Sequence, residues 1–172
     1  MAGEFKLTVS GARELVTALA ALAPELRRGP ARRALRAGAE LVLTRAIAET
    51  PQLSHDIYRK GVLVRRKGTL RRALAIRNSK DTNRTGDVGV FVNIRPLQKG
   101  AVATFKATTG RRSADNPDDP YYWRWVHFAT KRNHHPVPFL TRAAEAVLAT
   151  ASLSAITESL TRYFQRLNQR GK

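Results

Sequence analysis

The last part of the chain carries apolar residues at helical spacing over many successive turns. This stripe follows Pro138 and consists of Phe139, Ala143, Val147, Ala151, Ile156, Leu160, Tyr163, Phe164 and Leu167. Side chains three, four or seven positions apart share one face of an α-helix, so the spacing predicts one long amphipathic helix with a candidate break at Ser152–Ser154. An amphipathic helix buries its apolar face against another layer of structure, which the preceding residues have to supply.

Two further helical patterns lie near the beginning of the chain. The first covers residues 12–23 and follows Ser10, a residue type suited to cap a helix N-terminus. The second covers residues 31–49 and ends before Pro51, since proline interrupts a helix. The predicted buried stripe of this second helix is rich in small residues and consists of Ala34, Leu35, Gly38, Leu41, Val42 and Ala46.

The middle of the chain alternates strand patterns with turn-rich segments. Val88–Ile94 alternates in polarity and is rich in β-branched residues, which predicts a strand, and Ala101–Ala107 is its expected antiparallel partner. A shorter strand is predicted at Gly61–Val64. The segment from Leu70 to Ile76 fits either a short helix or the start of a strand. Residues 108–120 are polar and interrupted by proline, which predicts a mobile loop.

These elements predict one domain over residues 1–172 that belongs to the α+β class. It contains two N-terminal helices, a small and mostly antiparallel β-sheet, and a long C-terminal helix that packs on the sheet. Helices and strands occupy separate parts of the chain rather than alternating regularly, which is the pattern typical of this class.

An aromatic run at Tyr121–Phe128 contains both tryptophans of the chain and is predicted to form a strand or a short helix. One interpretation is a platform on which nucleic-acid bases stack. The interpretation we favour is a core position, because closely spaced aromatic side chains are mostly buried. The predicted core anchors are Trp125, Phe128, Phe139 and Leu140.

The charge of the chain is strongly positive, with 31 Lys and Arg against 13 Asp and Glu and a formal net charge of +18. Residues 27–77 alone carry 14 basic and 3 acidic groups. Such an excess attracts nucleic acid or the acidic face of a neighbouring subunit, although a solvated basic surface is the simpler alternative. The candidate contacts to DNA or a protein partner are Arg27, Arg28, Arg32, Arg33, Arg36, Arg65, Arg66, Arg71 and Arg72.

The residues needed for most enzymatic chemistry are missing from the sequence. The chain has no cysteine, which excludes disulfides, thiol catalysis and Cys-ligated zinc. It also has no nucleophile elbow, no phosphate-binding glycine loop and no His-Glu-x-x-His pair. No apolar run approaches the roughly 20 residues that span a bilayer, and no secretory signal is recognisable. We therefore expect a non-enzymatic protein without cofactors or a membrane partner, folded in a cytoplasm.

Two groups of side chains contain residue types that bind metal ions. The first is a cluster of three histidines, His127, His134 and His135. No carboxylate or thiolate nearby completes a ligand set with them. The carboxylates of the predicted loop are Asp115, Asp118 and Asp119. Their spacing does not fit a calcium loop, and Pro117 interrupts it. We predict no metal site in either place.

Several short motifs follow one another in an order that is characteristic of one protein family. They are the Gly11-x-x-Glu14-Leu15 helix start, the Ala-rich second helix ending at Pro51, the stretch Gly68–Ala73, the strand Val88–Val92, the segment Tyr122-x-x-Trp125-Val126-His127-Phe128-Ala129-Thr130, and the helix entry His135-Pro136-Val137-Pro138-Phe139-Leu140-x-Arg142-Ala143. In this order they resemble the neck and tail-completion family of tailed phages, whose members are similar to minor tail protein Z. In that family Glu is usual at the position of His127.

The resemblance implies a structural subunit of the virion at the head–tail junction, assembled in the bacterial host. It further implies that copies of the chain form a ring, for which we expect six-fold symmetry with twelve-fold as the alternative. The resemblance also implies that such a ring contacts the head-completion or connector protein and the tail terminator or tail tube, and that DNA passes through its lumen. The composition leaves a stand-alone basic nucleic-acid-binding protein as the second hypothesis. We favour a protein partner for the basic face, because a lumen that held DNA tightly would obstruct its passage.

Overall fold

The computed structural model describes residues 27–80, 88–131 and 134–170. The predicted first helix over residues 12–23 lies outside these ranges, and so do the side chains of Arg27 and Arg28. The chain forms two compact units. We call residues Met1–Val42, Ile76–Phe91 and Glu145–Lys172 the terminal unit, and residues Leu43–Ala75 and Val92–Ala144 the central unit.

The described ranges contain six α-helices and four short strands. In chain order the elements are a π-helical turn at Arg27–Ala31, α1 at Arg32–Glu49, β1 at Ile57–Arg59, β2 at Val62–Arg65, α2 at Thr69–Ala73, β3 at Leu74–Asn78, β4 at Val90–Ile94, α3 at Lys99–Thr109, a 3₁₀ turn at Ser113–Asp115, α4 at Trp123–His127, α5 at Phe139–Val147, a π-helical turn at Leu148–Ser152, and α6 at Leu153–Arg170. This combination confirms the predicted α+β class.

Strands β1 and β2 form an antiparallel hairpin in which Tyr58 pairs with Leu63 and Arg59 with Val62. Its two turn residues, Lys60 and Gly61, have φ angles of 50° and 73°. Two consecutive residues with positive φ make a type I′ turn, whose twist matches that of the strands it joins. The sequence pattern predicted the second strand of this hairpin and missed the first.

Strands β3 and β4 form the second two-stranded sheet. The amide of Arg95 donates to the carbonyl of Ala73 over 2.7 Å, and the amide of Ser79 donates to the carbonyl of Gly89 over 2.8 Å. Because the residue numbers rise on one strand as they fall on the other, the pairing is antiparallel. The sequence pattern from Leu70 to Ile76 fits either a short helix or the start of a strand. The structure shows both, since this segment contains the end of helix α2 and the start of strand β3.

The prediction that Ala101–Ala107 is the partner of β4 is wrong, because these residues lie in helix α3. Val102 and Phe105 are three positions apart and partly buried, which is a helical spacing. Alanine favours a helix over a strand, so local propensity agrees with the observed element. Gly110, at φ 65°, ends the helix, and its amide donates to the carbonyl of Lys106.

Each unit has its own core. In the central unit the buried residues are Ala46, Leu74, Ile94, Phe139 and Ala143. In the terminal unit they are Ala34, Ile156 and Leu160, with Leu35 and Phe164 packed against them. Small side chains belong to both cores, Ala46 and Ala143 in the central unit and Ala34 in the terminal unit.

The long C-terminal helix is confirmed, with the π-helical turn Leu148–Ser152 where α5 gives way to α6. The stretch Phe139–Arg166 is long and apolar enough, by length and composition, to cross a bilayer. This stretch buries Phe139, Ala143, Ile156 and Leu160, and 22% of its apolar 18-residue window is buried inside the protein.

Candidate functional site

The aromatic run folds as the one-turn helix α4. Three of its large side chains are exposed, namely Tyr121, Trp125 at 55% and Phe128 at 51%. The rings of Tyr121 and Trp125 meet edge to face with their centroids 5.5 Å apart. We call Tyr121, Trp125 and Phe128 the α4 aromatic surface.

The prediction of four core anchors needs correction at two positions. Phe139 is completely buried, and Leu140 is partly buried against the same core. Trp125 and Phe128 are instead exposed. The physical reason is the helical period, since Trp123 and Val126 face the core of the central unit and residues two positions away point elsewhere.

His127 is the buried residue of helix α4, at 5% exposure. Its ring meets that of Phe139 edge to face at 5.0 Å, and its Nε2 lies 3.4 Å from the Oγ1 of Thr141. Its Nδ1 is buried and makes no hydrogen bond within the described part of the chain. Burial lowers the pKa of His127. The side chain is therefore a neutral core ring.

The remaining histidines of the predicted cluster, His134 and His135, are exposed and do not share the burial of His127. Within residues 27–80, 88–131 and 134–170, no three His, Asp or Glu side chains are grouped as a metal ion requires. The carboxylates of Asp118 and Asp119 have partners within the central unit. Asp119 accepts a hydrogen bond from the amide of Tyr121 over 3.0 Å, and Asp118 forms ion pairs with arginine.

Arg65 contacts the start of the aromatic run. Its guanidinium lies 3.9 Å from the centre of the Tyr122 ring and 5.2 Å from that of Tyr121. It also donates a hydrogen bond to the hydroxyl of Tyr121 over 3.2 Å. Burial raises the pKa of Tyr122, and the charge of Arg65 opposes part of that rise. This cation–π contact holds the segment before α4 against hairpin β1–β2.

The neighbouring arginines hold the second half of the 108–120 segment. The Asp118 carboxylate lies 3.3 Å from the Nε of Arg66 and 3.6 Å from the Nη2 of Arg72. The amide of Arg66 and the hydroxyl of Thr69 both donate to the carbonyl of Pro117. Asn116 and Pro120 are buried. Residues 116–120 are thus fastened to the turn before α2 by both charge and backbone hydrogen bonds.

Four of the nine candidate arginines therefore have partners inside the central unit. Arg65, Arg66 and Arg72 contact residues 118–122, and the Nε of Arg71 donates to the carbonyl of Thr50 over 3.0 Å. The sequence did not reveal these contacts, because the partners are distant along the chain, from 21 residues for Arg71 and Thr50 to 56 residues for Arg65 and Tyr121. The sequence feature that could have predicted the contacts with residues 118–122 is the cluster of Asp and Tyr between positions 115 and 122.

The other candidate arginines belong to the terminal unit. Arg32 and Arg36 are partly buried, and Arg33 is exposed with its guanidinium 5.8 Å from the centre of the Tyr163 ring. The Nε of Arg32 is buried and makes no hydrogen bond within the described ranges. Next to Arg33, an open groove of about 540 Å³ lies between α1 and α6. Its polar lining consists of Arg33, Glu158, Ser159, Arg162, Tyr163 and Arg166.

These features suit noncovalent binding. The terminal unit contains a basic groove, and the central unit exposes large apolar side chains, including Ile57, Tyr58 and Val62 on hairpin β1–β2. Exposed apolar patches of this kind mark surfaces that contact other macromolecules.

Comparison with known proteins gives one match. Residues 13–128 match the HK97 gp10-like family, described as bacteriophage HK97 gp10 tail components. No curated protein and no solved structure matches the chain. The suspected relation to a tailed-phage neck family is thereby confirmed at the level of the family. Because the matched residues make up more than half of the 172-residue chain, it belongs to the HK97 gp10-like family of bacteriophage tail components.

Proposed function

We propose that this chain is a structural protein of the head–tail junction of a tailed phage. Copies of it assemble into a ring that joins the head-completion complex to the tail and leaves a passage for DNA. The observation that carries the proposal is the exposure of large apolar side chains on two elements of the central unit, helix α4 and hairpin β1–β2. Membership in a family of tail components supports it, since such components are parts of the virion.

The exposed side chains are of the type that subunit interfaces bury. Tyr58 is 62% exposed and Trp125 is 55% exposed. Aromatic residues are enriched at the centres of protein interfaces, where they supply most of the contact area. We infer that the α4 aromatic surface and the hairpin become buried between neighbouring copies of the chain.

The basic residues fit the remaining contacts of such a ring. We propose that the head-completion or connector protein and the tail terminator or tail tube present acidic groups to four arginines of the terminal unit. These are Arg27, Arg28, Arg32 and Arg36. Opposite charges across an interface mainly determine orientation and the rate of association. We propose no catalytic role for any of these residues.

Sedimentation velocity of the full chain tests assembly. We expect the wild-type protein to sediment as a closed oligomer and the Trp125→Ser/Phe128→Ser variant as a monomer. The matched control is Phe91→Ser in the terminal unit, which removes an aromatic ring of 41% exposure and is expected to leave the oligomer intact. A wild-type monomer at every concentration would contradict the ring.

Labelled antibodies on intact virions test the location. We expect the label at the junction between head and tail in electron micrographs. Label along the tail tube or at the tail tip would contradict a junction protein, although it would leave the chain a tail component.

The net charge of +18 favours one alternative, a stand-alone nucleic-acid-binding protein. It predicts a monomer that binds DNA and is absent from purified virions. A ring present in the virion excludes it, and the sedimentation and labelling experiments therefore separate the two functions.

A further inference from the structure

The groove between α1 and α6 lies entirely within the terminal unit. One wall consists of Arg33 and Ala37 of α1 with Pro30 of the preceding π-helical turn, and the opposite wall consists of residues of α6 between Ala155 and Arg166. Side chains at spacings of three and four line up along an α-helix, because they share one helix face. The groove is open and has a volume of about 540 Å³.

The lining of this groove is unbalanced in charge. Arg33, Arg162 and Arg166 face a single lining carboxylate, that of Glu158, which is already paired with Arg162 one helical turn away. Arg33 and Arg166 are exposed at the groove without a lining carboxylate of their own. Two guanidinium groups that line one groove, with no matching acid among the described lining residues, create a positive potential that an anion would relieve.

The cationic groups are arginines, and one of them is held in place by an aromatic ring. Arg33 lies over Tyr163, which reduces the number of conformations its guanidinium can adopt. The planar fork of a guanidinium donates two parallel hydrogen bonds to phosphate or carboxylate oxygens. Ser159 adds a hydroxyl donor to the same groove.

We propose that this groove binds the phosphodiester backbone of DNA. A second copy of the chain is a poor occupant of this groove, since the groove is lined by three arginines and one carboxylate and the chain offers 13 Asp and Glu against 31 Lys and Arg. DNA is the polyanion that passes through the proposed junction, and in this respect the inference rests on the proposed function. Contacts to phosphate alone are independent of base sequence and permit sliding. DNA that is bound only through its phosphates can still move, so such contacts do not obstruct its passage through the lumen. Tight binding that stops this movement was the reason to favour a protein partner for the basic face.

The test is binding of a fluorescent DNA duplex of about 20 base pairs to the full chain, measured by anisotropy over a range of salt concentrations. The variant is Arg33→Gln/Arg166→Gln, which leaves the Glu158–Arg162 pair intact. The control, Arg95→Gln/Arg112→Gln, removes the same charge from two exposed positions of the central unit.

We expect the groove variant to flatten the slope of log Kd against log salt by about two units, one for each lost phosphate contact. We expect the control to change the slope by less than about one unit. Thermal unfolding verifies that both variants are folded. If the groove variant does not fold, Arg33→Lys/Arg166→Lys replaces it. That variant keeps the charge, so we expect it to retain the salt slope and lose affinity, because lysine cannot make the bidentate contact.

Equal losses in the groove variant and the control would overturn the inference, since binding would then follow net charge alone. DNA binding unchanged in the groove variant, together with its exclusion from virions, would also overturn it and would indicate an acidic protein as the occupant. The assay uses free DNA and does not require a ring. Failure of the ring in sedimentation and failure of the groove in DNA binding are therefore separate results.

Discussion

Phe139 illustrates how one residue can organise a unit. It is completely buried, contacts the ring of His127 and belongs to the core that also contains Leu74 and Ile94. We expect Phe139→Ala to lower the free energy of unfolding by about 3–5 kcal/mol, because the removed ring leaves a cavity. Chemical denaturation measures it, with Phe91→Ala as the exposed control. A change below about 0.5 kcal/mol would show that the ring is not a core element.

His127 makes the stability of the chain depend on pH. Its pKa is lowered by burial, so the unfolded chain takes up a proton on this side chain more readily than the folded chain. Its contribution to stability is complete above the ordinary histidine pKa of 6.5 and is lost as the pH falls below that value toward the lowered pKa. We expect the free energy of unfolding to decrease between about pH 7 and pH 5.

Denaturation at several pH values measures this effect. The variant His127→Gln cannot take up the proton, and we expect its stability to vary less over this pH range. His55→Gln changes an exposed histidine and is expected to keep the wild-type dependence. Identical pH profiles for wild type and His127→Gln would refute a buried neutral ring.

At the scale of elements, the packing of α1 depends on one glycine. A Cβ at Gly38 would lie 2.7 Å from Cγ1 of Ile156 and 2.9 Å from the carbonyl oxygen of Ser152. A methyl group there forces a shift that costs about 1–3 kcal/mol, which exceeds the gain of up to about 1 kcal/mol from replacing a helical glycine. We therefore expect Gly38→Ala to destabilise the chain by about 1–2 kcal/mol.

Thermal and chemical unfolding check this expectation against Gly29→Ala. A Cβ at Gly29 meets no atom of the described chain within 4 Å, so that variant is expected to be neutral or slightly stabilising. Equal effects at the two glycines would show that α1 and α6 can separate at little cost.

The 108–120 segment is predicted to be mobile around Arg111 and Arg112, whereas residues 116–120 are held by contacts with the turn before α2. We expect limited trypsin digestion to cut first at Arg111 or Arg112 and to leave a folded remainder, since these residues precede the fastened stretch 116–120. Asp118→Asn removes the charge that Arg66 and Arg72 share and should speed the cut. The cost in overall stability should stay below about 1 kcal/mol, because these ion pairs are partly exposed. Protection equal to that of the helices would contradict a mobile loop.

At the scale of the whole molecule, the basic residues before and within α1 bear on assembly. Arg28, Arg32 and Arg36 are spaced four residues apart, and like charges at this spacing repel one another in an α-helix. Replacing all three by Gln is expected to leave stability unchanged or raise it by a few tenths of a kcal/mol per removed pair, while weakening assembly. Thermal unfolding and sedimentation measure the two effects. A triple variant that enters virions and binds DNA like the wild type would mean that this face is only solvated.

The elements of the fold were predictable where the local pattern is strong. Val90–Ile94 and the C-terminal helix have clear periods of two and of 3.6 residues, and both formed. Ala101–Ala107 was predicted as a strand because a short apolar stretch fits both the period of a strand and that of a helix. The high helix propensity of alanine favours the helix that the structure shows. One-turn helices such as α4 contain too few residues for a period to be detected.

The candidate site was predictable only as a set of residue types. Sequence identified the aromatic run and the arginines but not which of them face solvent or each other. Trp125 and Trp123 are the same residue type two positions apart, yet only Trp123 packs on the core. Arg33 and Arg65 looked equivalent, yet one lines a groove and the other stacks on Tyr122. Such distinctions depend on neighbours that are distant along the chain.

The amino-acid sequence by itself determined the fold class, the positive charge, the lack of thiol chemistry and the family, because composition and local periodicity are properties of the chain in any conformation. Tertiary structure alone decided that His127 is a buried neutral ring, that Arg66 and Arg72 share Asp118, and that Arg33 meets α6 across a groove. Burial, and the pairing of charges such as those of Asp118 and Arg66, arise when segments far apart in sequence are brought within a few ångströms, and their energies depend on that separation and on the exclusion of water.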